Sequence, residues 1–386
     1  MPRPRFALLA AMLGTAAGVA PLGAQGSDAL YARFNALTGW EVRGYTFDQW
    51  QAPNPQEQPK SVSEWSLPFV IAAPLTRRLS VDLNTRYASG EVESYSGARA
   101  TLSGFTDTQV RFLYTLNPDR LVGSLSFNLP TGKATVDSNG FRVAGAIGGD
   151  YLTFPVPNFG TAFGVTGGVA YAQHVGTWNV GVSSSLRYLA TYQPFANSPL
   201  SYNPGVEGRF RLGADRLLGQ ASRLLLGLTV STFSTDVYSG ATTAGFGSYS
   251  PGTRFIGEFA FVRVVGRSTV TASAWDYYRL AGDSAGKPFP ETKENVFNGE
   301  LRVRYPVTPR VQVEPMVAFR QWNPESLRGG RLKSGGLAVH AILTDRLSAA
   351  VQGRYDGGWI RAQSGTAMVS SFLQGYGASV FLRYER

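Results

Sequence analysis

The chain has 386 residues, of which 43% are hydrophobic and 12% aromatic, and it carries a formal net charge of +10. It is too apolar for a disordered chain, while a mean hydropathy of −0.09 is too polar for a bundle of membrane-spanning helices. Glycine is frequent, at 45 residues, and cysteine is absent, so the composition predicts a turn-rich all-β fold without disulfides.

The N-terminus has the layout of a secretory signal peptide. Arg3 and Arg5 precede an apolar run at residues 6–20, and small residues follow at 21–25. The run is short for a membrane-spanning helix, so residues 1–25 are predicted to be a signal that is cleaved on export. No later stretch approaches the roughly twenty apolar residues that a spanning helix requires, so insertion into a membrane would have to be by strands.

Residues 26–386 are predicted to be one domain, because no composition shift or long linker divides them. Within residues 27–38, Leu30, Phe34 and Leu37 recur at helical spacing. The segment could form a short periplasmic helix or a small plug, but we interpret it as an ordered periplasmic lead-in.

From Trp40 onwards, hydrophobic residues alternate with polar ones, which is the pattern of strands with two different faces. The pattern gives about sixteen strands, and about twelve to sixteen are compatible with the strand boundaries. The predicted strands are residues 39–50, 61–73, 79–92, 105–116, 120–129, 161–174, 177–191, 202–214, 221–235, 253–265, 267–280, 295–306, 310–321, 332–343, 347–358 and 372–385.

The connections alternate between short turns, such as residues 74–78, and longer loops rich in Gly, Pro and Ser, such as residues 131–160. This alternation is typical of a transmembrane antiparallel up-and-down β-barrel, in which an even number of strands puts both chain ends on the short-turn side. A soluble sandwich would expose Lys and Glu on its outer face, whereas Leu226 and Leu228 belong to a face that is wholly apolar. We therefore predict that the apolar face meets lipid.

Aromatic residues gather near the predicted strand ends, as in the girdles that mark the two membrane interfaces. The last strand has Tyr376, Val380 and Tyr384 on one face and resembles the C-terminal signal that the bacterial barrel assembly machinery reads, although Glu385 and Arg386 follow the last aromatic. The girdle candidates are Trp40, Trp50, Trp65, Tyr87, Trp178, Tyr188, Tyr305, Trp322, Tyr355, Trp359, Tyr376 and Tyr384.

An outward apolar face leaves charged residues facing the lumen. In one interpretation these residues line a pore and set its selectivity, with the basic excess favouring anions; in the other they form a salt-bridge lattice that fills a narrow barrel. The sequence does not decide between these two interpretations. The pore-lining candidates are Arg86, Arg111, Arg187, Arg209, Arg211, Arg302, Arg304, Arg320, Arg354, Glu207, Glu258, Glu300 and Glu314.

Residues 131–160 form the longest connection and are the candidate functional loop. Val143, Ile147 and Tyr151 recur at helical spacing, so a loop folded into the lumen could use them as a constriction. A cap packed over the extracellular rim is an equal alternative.

The sequence shows no motif of catalysis. His174 lies at a predicted turn and His340 in a strand, and the chain contains no Gly-x-Ser-x-Gly, no His-Glu-x-x-His and no phosphate loop. We expect no catalytic residue, no cofactor, no metal site and no nucleic-acid partner. A barrel hydrolase is the enzymatic alternative.

Thr106, Asp107 and the run Asn-Leu-Pro-Thr-Gly-Lys at residues 128–133 resemble the outer-membrane channels of the MetA-pathway phenol-degradation family. In that family a strand that begins with Gly-Asp is followed by a turn and a strand that ends in Leu-Pro-Thr-Gly; here Thr106 replaces the glycine. The resemblance covers residues 106–133. It implies an exported β-barrel that passes small, often apolar compounds, and it carries over no catalytic residue.

These features together predict a channel or porin in the outer membrane of a Gram-negative-type bacterium, for passive transport of small solutes, with apolar or aromatic compounds as candidates. Its partners would be outer-membrane lipid, the solute and the barrel assembly machinery, and the sequence leaves the oligomeric state open. A structural or adhesive barrel with a plugged lumen is the main alternative.

Overall fold

The computed structural model describes residues 34–48, 58–117, 120–240, 247–283, 292–325, 329–364 and 367–386, so the predicted signal peptide lies outside it. One helix, α1, spans Ser138–Ile147. The strands are β1 (Asn35–Phe47), β2 (Pro59–Pro74), β3 (Leu79–Ser94), β4 (Arg99–Phe105), β5 (Thr108–Asn117), β6 (Leu121–Leu129), β7 (Gly164–Val175), β8 (Trp178–Leu189), β9 (Ser201–Asn203), β10 (Glu207–Leu218), β11 (Ser222–Phe233), β12 (Asp236–Ser239), β13 (Ser248–Tyr249), β14 (Arg254–Val265), β15 (Ser268–Arg279), β16 (Glu294–Pro306), β17 (Val311–Pro324), β18 (Gly329–Ile342), β19 (Leu347–Ser364) and β20 (Ala367–Glu385).

Antiparallel pairing of neighbouring strands continues around a complete ring. The first and last strands close it, because β1 pairs with β20 from Asn35 opposite Glu385 to Phe47 opposite Leu373. Both β4 and β5 pair with β3, so they form one wall strand that is interrupted at residues 106–107. The ring is a closed antiparallel barrel of 16 strands, which confirms the predicted all-β fold.

The apolar face of the wall points outward. On β11, Leu226 and Leu228 are 43% and 44% exposed, whereas Thr229 and Ser231, on the inner face, are only 5% and 7% exposed. A contiguous exposed apolar belt needs an apolar surrounding, so this surface fits the interior of a bilayer and not water. The same outward exposure recurs around the ring at Trp40, Phe69, Tyr114, Leu125, Leu186, Phe210, Phe259, Leu301, Val317, Leu337, Tyr355 and Val380.

The first and last described residues lie at the rim that the short turns form. Phe34 and Arg386 exchange two backbone hydrogen bonds, of 3.1 and 2.9 Å. Gly176 and Gly266, in two of these turns, each have a φ of 59°, the left-handed conformation that two-residue hairpin turns use. The long loops gather at the opposite rim. Within the described ranges, nothing helical has the length and hydrophobicity needed to traverse a bilayer.

Several element boundaries differ from the predicted ones; β19, for example, continues to Ser364, whereas the predicted strand ends at residue 358. Residues 35–38 of the predicted lead-in belong to β1 and not to a helix, because the pairing with β20 satisfies their backbone groups; residues 27–33 lie outside the described part of the chain. The wall strand predicted to begin at residue 105 begins at Arg99, and the one predicted to begin at residue 202 begins at Glu207.

A small sheet at the long-loop rim was not predicted. β12 pairs with both β9 and β13 outside the barrel. Tyr202 and Tyr238 stack with ring centroids 4.7 Å apart, and Tyr192 packs edge-on against Tyr202 at 5.5 Å. These strands are too short to be recognised from an alternation of apolar and polar residues. Aromatic stacking across them supplies the packing that such short strands otherwise lack.

Candidate functional site in the lumen

The longest connection folds into the barrel. We call residues 131–160 the lumen loop. Its helix α1 is capped by the Asp137 side chain. Val143 and Ile147 are completely buried, and a Cβ on Gly90 of β3 would lie 2.8 Å from Val143 Cγ1. The helix therefore packs on the inner face of β3, where the wall residue it approaches most closely is a glycine.

The segment after the helix is hydrogen-bonded to the inner wall. Tyr45 of β1 donates a hydrogen bond of 2.9 Å to the Leu152 carbonyl. The Val156 N–H donates one of 2.8 Å to Glu64 Oε1 of β2, and Glu64 is 1% exposed. Because buried polar groups need partners, these bonds fix the height at which the loop crosses the lumen.

Tyr151, the third predicted constriction residue, lies beyond the end of α1 and not on it. Its hydroxyl donates to the Trp359 carbonyl of β19 at 3.0 Å, and its ring stacks on Trp322 at 5.5 Å. Trp322 thus lies inside the barrel, where its Nε1 donates to Glu294 Oε1 at 2.6 Å. The girdle prediction is wrong for Trp322, because its position on β17 has inward parity; Trp50 lies outside the described residues.

Two arginines from distant wall strands meet at Thr153. Arg43 of β1 donates to the Thr153 carbonyl and, at 3.0 Å, to its hydroxyl. Arg320 of β17 donates to the same hydroxyl at 2.6 Å and to the Tyr151 carbonyl at 2.9 Å. Thr153 has a φ of 47°, a conformation that β-branched residues seldom adopt. The lumen loop is therefore held in a strained conformation by charge-assisted hydrogen bonds from two sides.

The ends of the lumen loop are joined at the interruption of the wall strand. Asp107 accepts hydrogen bonds from Asn128 Nδ2 (2.7 Å), the Gly132 N–H (3.2 Å), and both the N–H and the hydroxyl of Thr161 (2.7 and 2.8 Å). A Cβ on Gly132 would lie 2.2 Å from the Phe159 carbonyl oxygen, so the two ends approach at a distance that only glycine permits.

Almost all predicted pore-lining residues form ion pairs with one another or with nearby carboxylates. Arg320 differs, since it bonds to Asn298 Oδ1 at 3.2 Å and to the lumen loop. The ion pairs are Arg86–Glu41 (2.9 Å), Arg111–Asp82 (2.8 Å), Arg187–Glu207 (3.6 Å), Arg209–Glu207 (2.6 Å), Arg211–Glu258 (2.6 Å), Arg302–Glu300, Arg304–Glu314 (2.6 Å) and Arg354–Asp356 (2.6 Å).

These pairs do not all occupy the same part of the lumen. Arg86, Arg320 and Arg354 lie on strands that the lumen loop contacts, and Arg86 also reaches the Pro155 carbonyl at 3.5 Å. Arg209 and Arg211 lie on β10, across the barrel from those strands in the strand order. The predicted set therefore divides into residues that hold the loop and residues on the wall away from it.

Sequence analysis missed Arg43, Glu64 and Glu294, and it assigned no role to Thr153 or Asp107. Arg43 and Glu64 share the inward parity of their strands and could have been found by the rule that found Arg86. The strain at Thr153 and the four hydrogen bonds to Asp107 have no sequence signal, because they arise only when the loop ends meet the wall.

The segment between β8 and β9 contacts the lumen loop. Phe195 pairs in parallel with Val136, and its ring lies 5.3 Å from that of Phe141. Burial raises the pKa of Tyr192 to about 12, and burial followed by the hydrogen bond to Asp236 raises the pKa of Tyr202 above its ordinary value. Neutral tyrosines are thus part of the packing that covers this side of the loop.

The two histidines lie apart. His174 shares a hydrogen bond of 2.8 Å with Asn179, and His340 Nε2 lies 3.8 Å from Glu314 Oε2. Within the described ranges, no group of three His, Asp or Glu side chains has the arrangement of a metal site.

The closed ring, the apolar outer belt and the charged inner face define a membrane-spanning β-barrel with a loop inserted in its lumen. No protein-family model matches the sequence, and no curated protein matches it. The resemblance of residues 106–133 to the phenol-degradation family therefore stays a prediction.

Several solved outer-membrane proteins share the barrel. A FadL homologue of Pseudomonas aeruginosa is similar with a TM-score of 0.46 and 10% identity, over 91% of this chain and 90% of that one. The channel DcaP of Acinetobacter baumannii gives 0.39 and 10%, over 92% and 98%. An outer membrane channel of Pseudomonas putida F1 gives 0.35 and 12%, over 91% and 96%. At these low scores the likeness adds nothing to the barrel that strand pairing already defines.

Proposed function

We propose that the chain is a passive channel for small solutes in the outer membrane of a Gram-negative-type bacterium, and that the lumen loop is its constriction. The observation that carries the proposal is the position of the loop. Residues 151–156 are bonded to β1, β2, β17 and β19 on the inside of the ring, while the charged inner side chains of β8 and β10, such as Arg187 and Arg209, stay partly exposed. A charged wall beside an inserted loop is how diffusion channels limit pore size.

Export with a cleaved signal at residues 1–25, delivery by the barrel assembly machinery and contact with outer-membrane lipid belong to the same proposal. The solute class is proposed from the family resemblance as small and often apolar or aromatic. Because no specific observation favours catalysis, we do not propose an enzyme.

A plugged structural barrel is the second candidate, and the complete burial of Val143 and Ile147 favours it. The two functions are separable by removing the loop. The Lys133 N–H and the Phe159 carbonyl are hydrogen-bonded at 3.0 Å, so residues 134–158 can be replaced by a short Gly-Ser linker without separating β6 from β7.

Conductance in planar bilayers is the test. We expect the purified wild-type protein to conduct and the loop-deleted protein to conduct several-fold more, roughly in line with the wider lumen of an empty barrel of this strand number. If the wild-type protein does not conduct and the loop-deleted protein does, the protein is a plugged barrel. Equal conductance in both would show that the loop is not a constriction.

Charge selectivity is a separate test of the lining. We expect reversal potentials in a salt gradient to favour anions, and Arg209→Ala combined with Arg211→Ala to reduce that preference, because two positive charges are lost while Glu207, which among the described residues keeps only the ion pair with Arg187, and Glu258 stay negative. Cation selectivity of the wild-type protein would contradict the proposed lining.

A further inference from the structure

A row of arginines crosses the inner face near the long-loop rim. Arg209 of β10 is opposite Ser231 of β11, Ser231 is opposite Arg254 of β14, and Arg254 is opposite Arg279 of β15. Side chains at directly opposite positions of antiparallel strands have Cβ atoms only about 4.5–5.5 Å apart. Three guanidinium groups therefore project into the lumen at one level, and we call Arg209, Arg254 and Arg279 the arginine row.

Two members of the arginine row form ion pairs with glutamates of the wall. Arg209 pairs with Glu207 at 2.6 Å, and Arg279 pairs with Glu294 at 2.6 Å. For Arg254, no carboxylate of the described residues lies within the 4.0 Å of an ion pair, and within those ranges its buried Nε has no hydrogen-bond acceptor. Like charges opposite one another on a sheet are destabilising. Arg254 is therefore the member of the row that has no ion-pair partner among the described residues.

Asp150 of the lumen loop is a carboxylate in electrostatic contact with the arginine row. It interacts electrostatically with Arg254, Arg279, Arg320 and Glu294, but it forms no ion pair with Arg254. Asp150 forms no ion pair with Arg254 within 4.0 Å, so the guanidinium of Arg254 holds no carboxylate of the described residues.

Aromatic rings border the same guanidinium. The centre of the Arg254 guanidinium lies 4.7 Å from the centroid of the Phe233 ring at the end of β11. Tyr277, two residues before Arg279 on the inner face of β15, is opposite Ile256 and is therefore a diagonal neighbour of Arg254. A flat ligand at Arg254 would therefore have apolar ring faces beside it, while its charged end meets the planar guanidinium fork.

We propose that Arg254, Phe233 and Tyr277 form a binding site for a small aromatic monocarboxylate at the outer mouth of the channel. The inference rests on the proposed channel function and names the solute class that the mouth would select. A carboxylate fits the fork of one guanidinium in a bidentate manner, and the buried Nε of Arg254 has no acceptor among the described residues. The ring of the solute packs on Phe233 and Tyr277.

Block of chloride current by benzoate tests the site. In planar bilayers with the wild-type protein, we expect benzoate to reduce the current at lower concentration than acetate, which lacks the ring, or benzamide, which lacks the charge. Arg254→Gln should raise the half-blocking concentration of benzoate by about tenfold, because one charge-assisted bidentate contact is lost. Arg263→Gln is the matched control, since Arg263 lies on the same strand but is exposed at its other end.

Phe233→Leu separates the ring contact from the charge contact. It should weaken block by benzoate and leave block by acetate unchanged. Equal block by benzoate and benzamide in the wild-type protein would overturn the proposal without use of any variant, as would an Arg254→Gln protein that migrates as a folded barrel and is blocked like the wild type.

Calorimetric titration of the detergent-solubilised wild-type protein with benzoate provides a readout that does not need an open channel. If the protein shows no conductance but binds benzoate, and Arg254→Gln weakens that binding, the channel function is contradicted and the binding site is supported. A conducting protein that does not bind benzoate in preference to benzamide would support the channel function and contradict the proposed binding site.

Discussion

Arg320 of β17 donates a hydrogen bond of 2.6 Å to the hydroxyl of Thr153, which lies 167 residues earlier in the chain. The same hydroxyl accepts from Arg43 of β1, so one loop residue connects two wall strands that β18, β19 and β20 separate in the ring. This contact shows that the lumen loop is attached to the wall by directional polar bonds as well as by apolar packing. Attachment of this kind can be weakened one residue at a time without unfolding the barrel.

Arg320→Ala should release the middle of the lumen loop. Arg320 is 6% exposed and donates to Asn298, the Tyr151 carbonyl and Thr153. Hydrogen bonds from charged groups contribute about 1.5–3 kcal/mol each, so local opening should become easier by roughly 3 kcal/mol. Amide hydrogen exchange at residues 151–156 and single-channel current fluctuations are the measurements, and both should increase.

Arg331→Ala is the matched control for that experiment, because Arg331 is exposed on the neighbouring strand β18. It should change neither exchange nor current. If the two variants behave alike, the bonds of Arg320 do not hold the loop.

Thr153→Gly and Thr153→Ala should differ in stability although both remove the hydroxyl. A φ of 47° costs an L residue roughly 1–2 kcal/mol, a cost that glycine does not have. Glycine also gains backbone entropy in the unfolded chain, which offsets part of this difference. The free energy of unfolding in urea should therefore be about 1 kcal/mol higher for the glycine variant than for the alanine variant. Equal unfolding free energies would mean that the backbone at this position is not strained.

Asp107→Ala should loosen both ends of the lumen loop. The carboxylate accepts four hydrogen bonds, from Asn128, Gly132 and Thr161. Removing an acceptor leaves part-buried donors without a partner, at about 1–3 kcal/mol for each. We expect limited proteolysis to cut within residues 131–160 at least several-fold faster, while heat-modifiable migration shows that the barrel persists. Asp345→Ala, in a short turn at the opposite rim, should have no such effect; faster cutting in both variants would point to global destabilisation.

The small sheet at the long-loop rim and the segment that precedes it, at residues 190–203, should open at alkaline pH. Burial raises the pKa of Tyr192 from 10.0 to about 12, so between these values the unfolded segment loses a proton that the folded one keeps. Stability of the sheet is then fully present below pH 10.0 and falls as the pH rises towards about 12. Hydrogen exchange at residues 190–203, measured with tyrosinate absorbance, should follow this window. Tyr192→Phe should make the fall less steep; an unchanged pH profile would exclude Tyr192 as its source.

The sequence was sufficient to predict the barrel, because lipid outside and polar groups inside impose a period of two on every wall strand, and Leu226, Leu228, Thr229 and Ser231 each display it locally. The same alternation predicts that Arg209 and Glu207 lie on one inner face, where the structure shows them as an ion pair. The sequence-based prediction was wrong at two places. Residues 35–38 were assigned to a lead-in because of helical spacing, and Trp322 was assigned to the girdle because it lies near a strand end; in both cases strand pairing decides the structure.

The inserted loop was decided by tertiary structure alone. Helical spacing predicted that Val143 and Ile147 share a face, yet no local pattern states whether that face meets the inner wall or the outer rim. The answer depends on Gly90, Asp107 and Arg320, which are far away in the chain and act through close approach, buried acceptors and bonds across the lumen. Contacts of such long range leave no periodicity in the sequence, and only the closed ring brings them together.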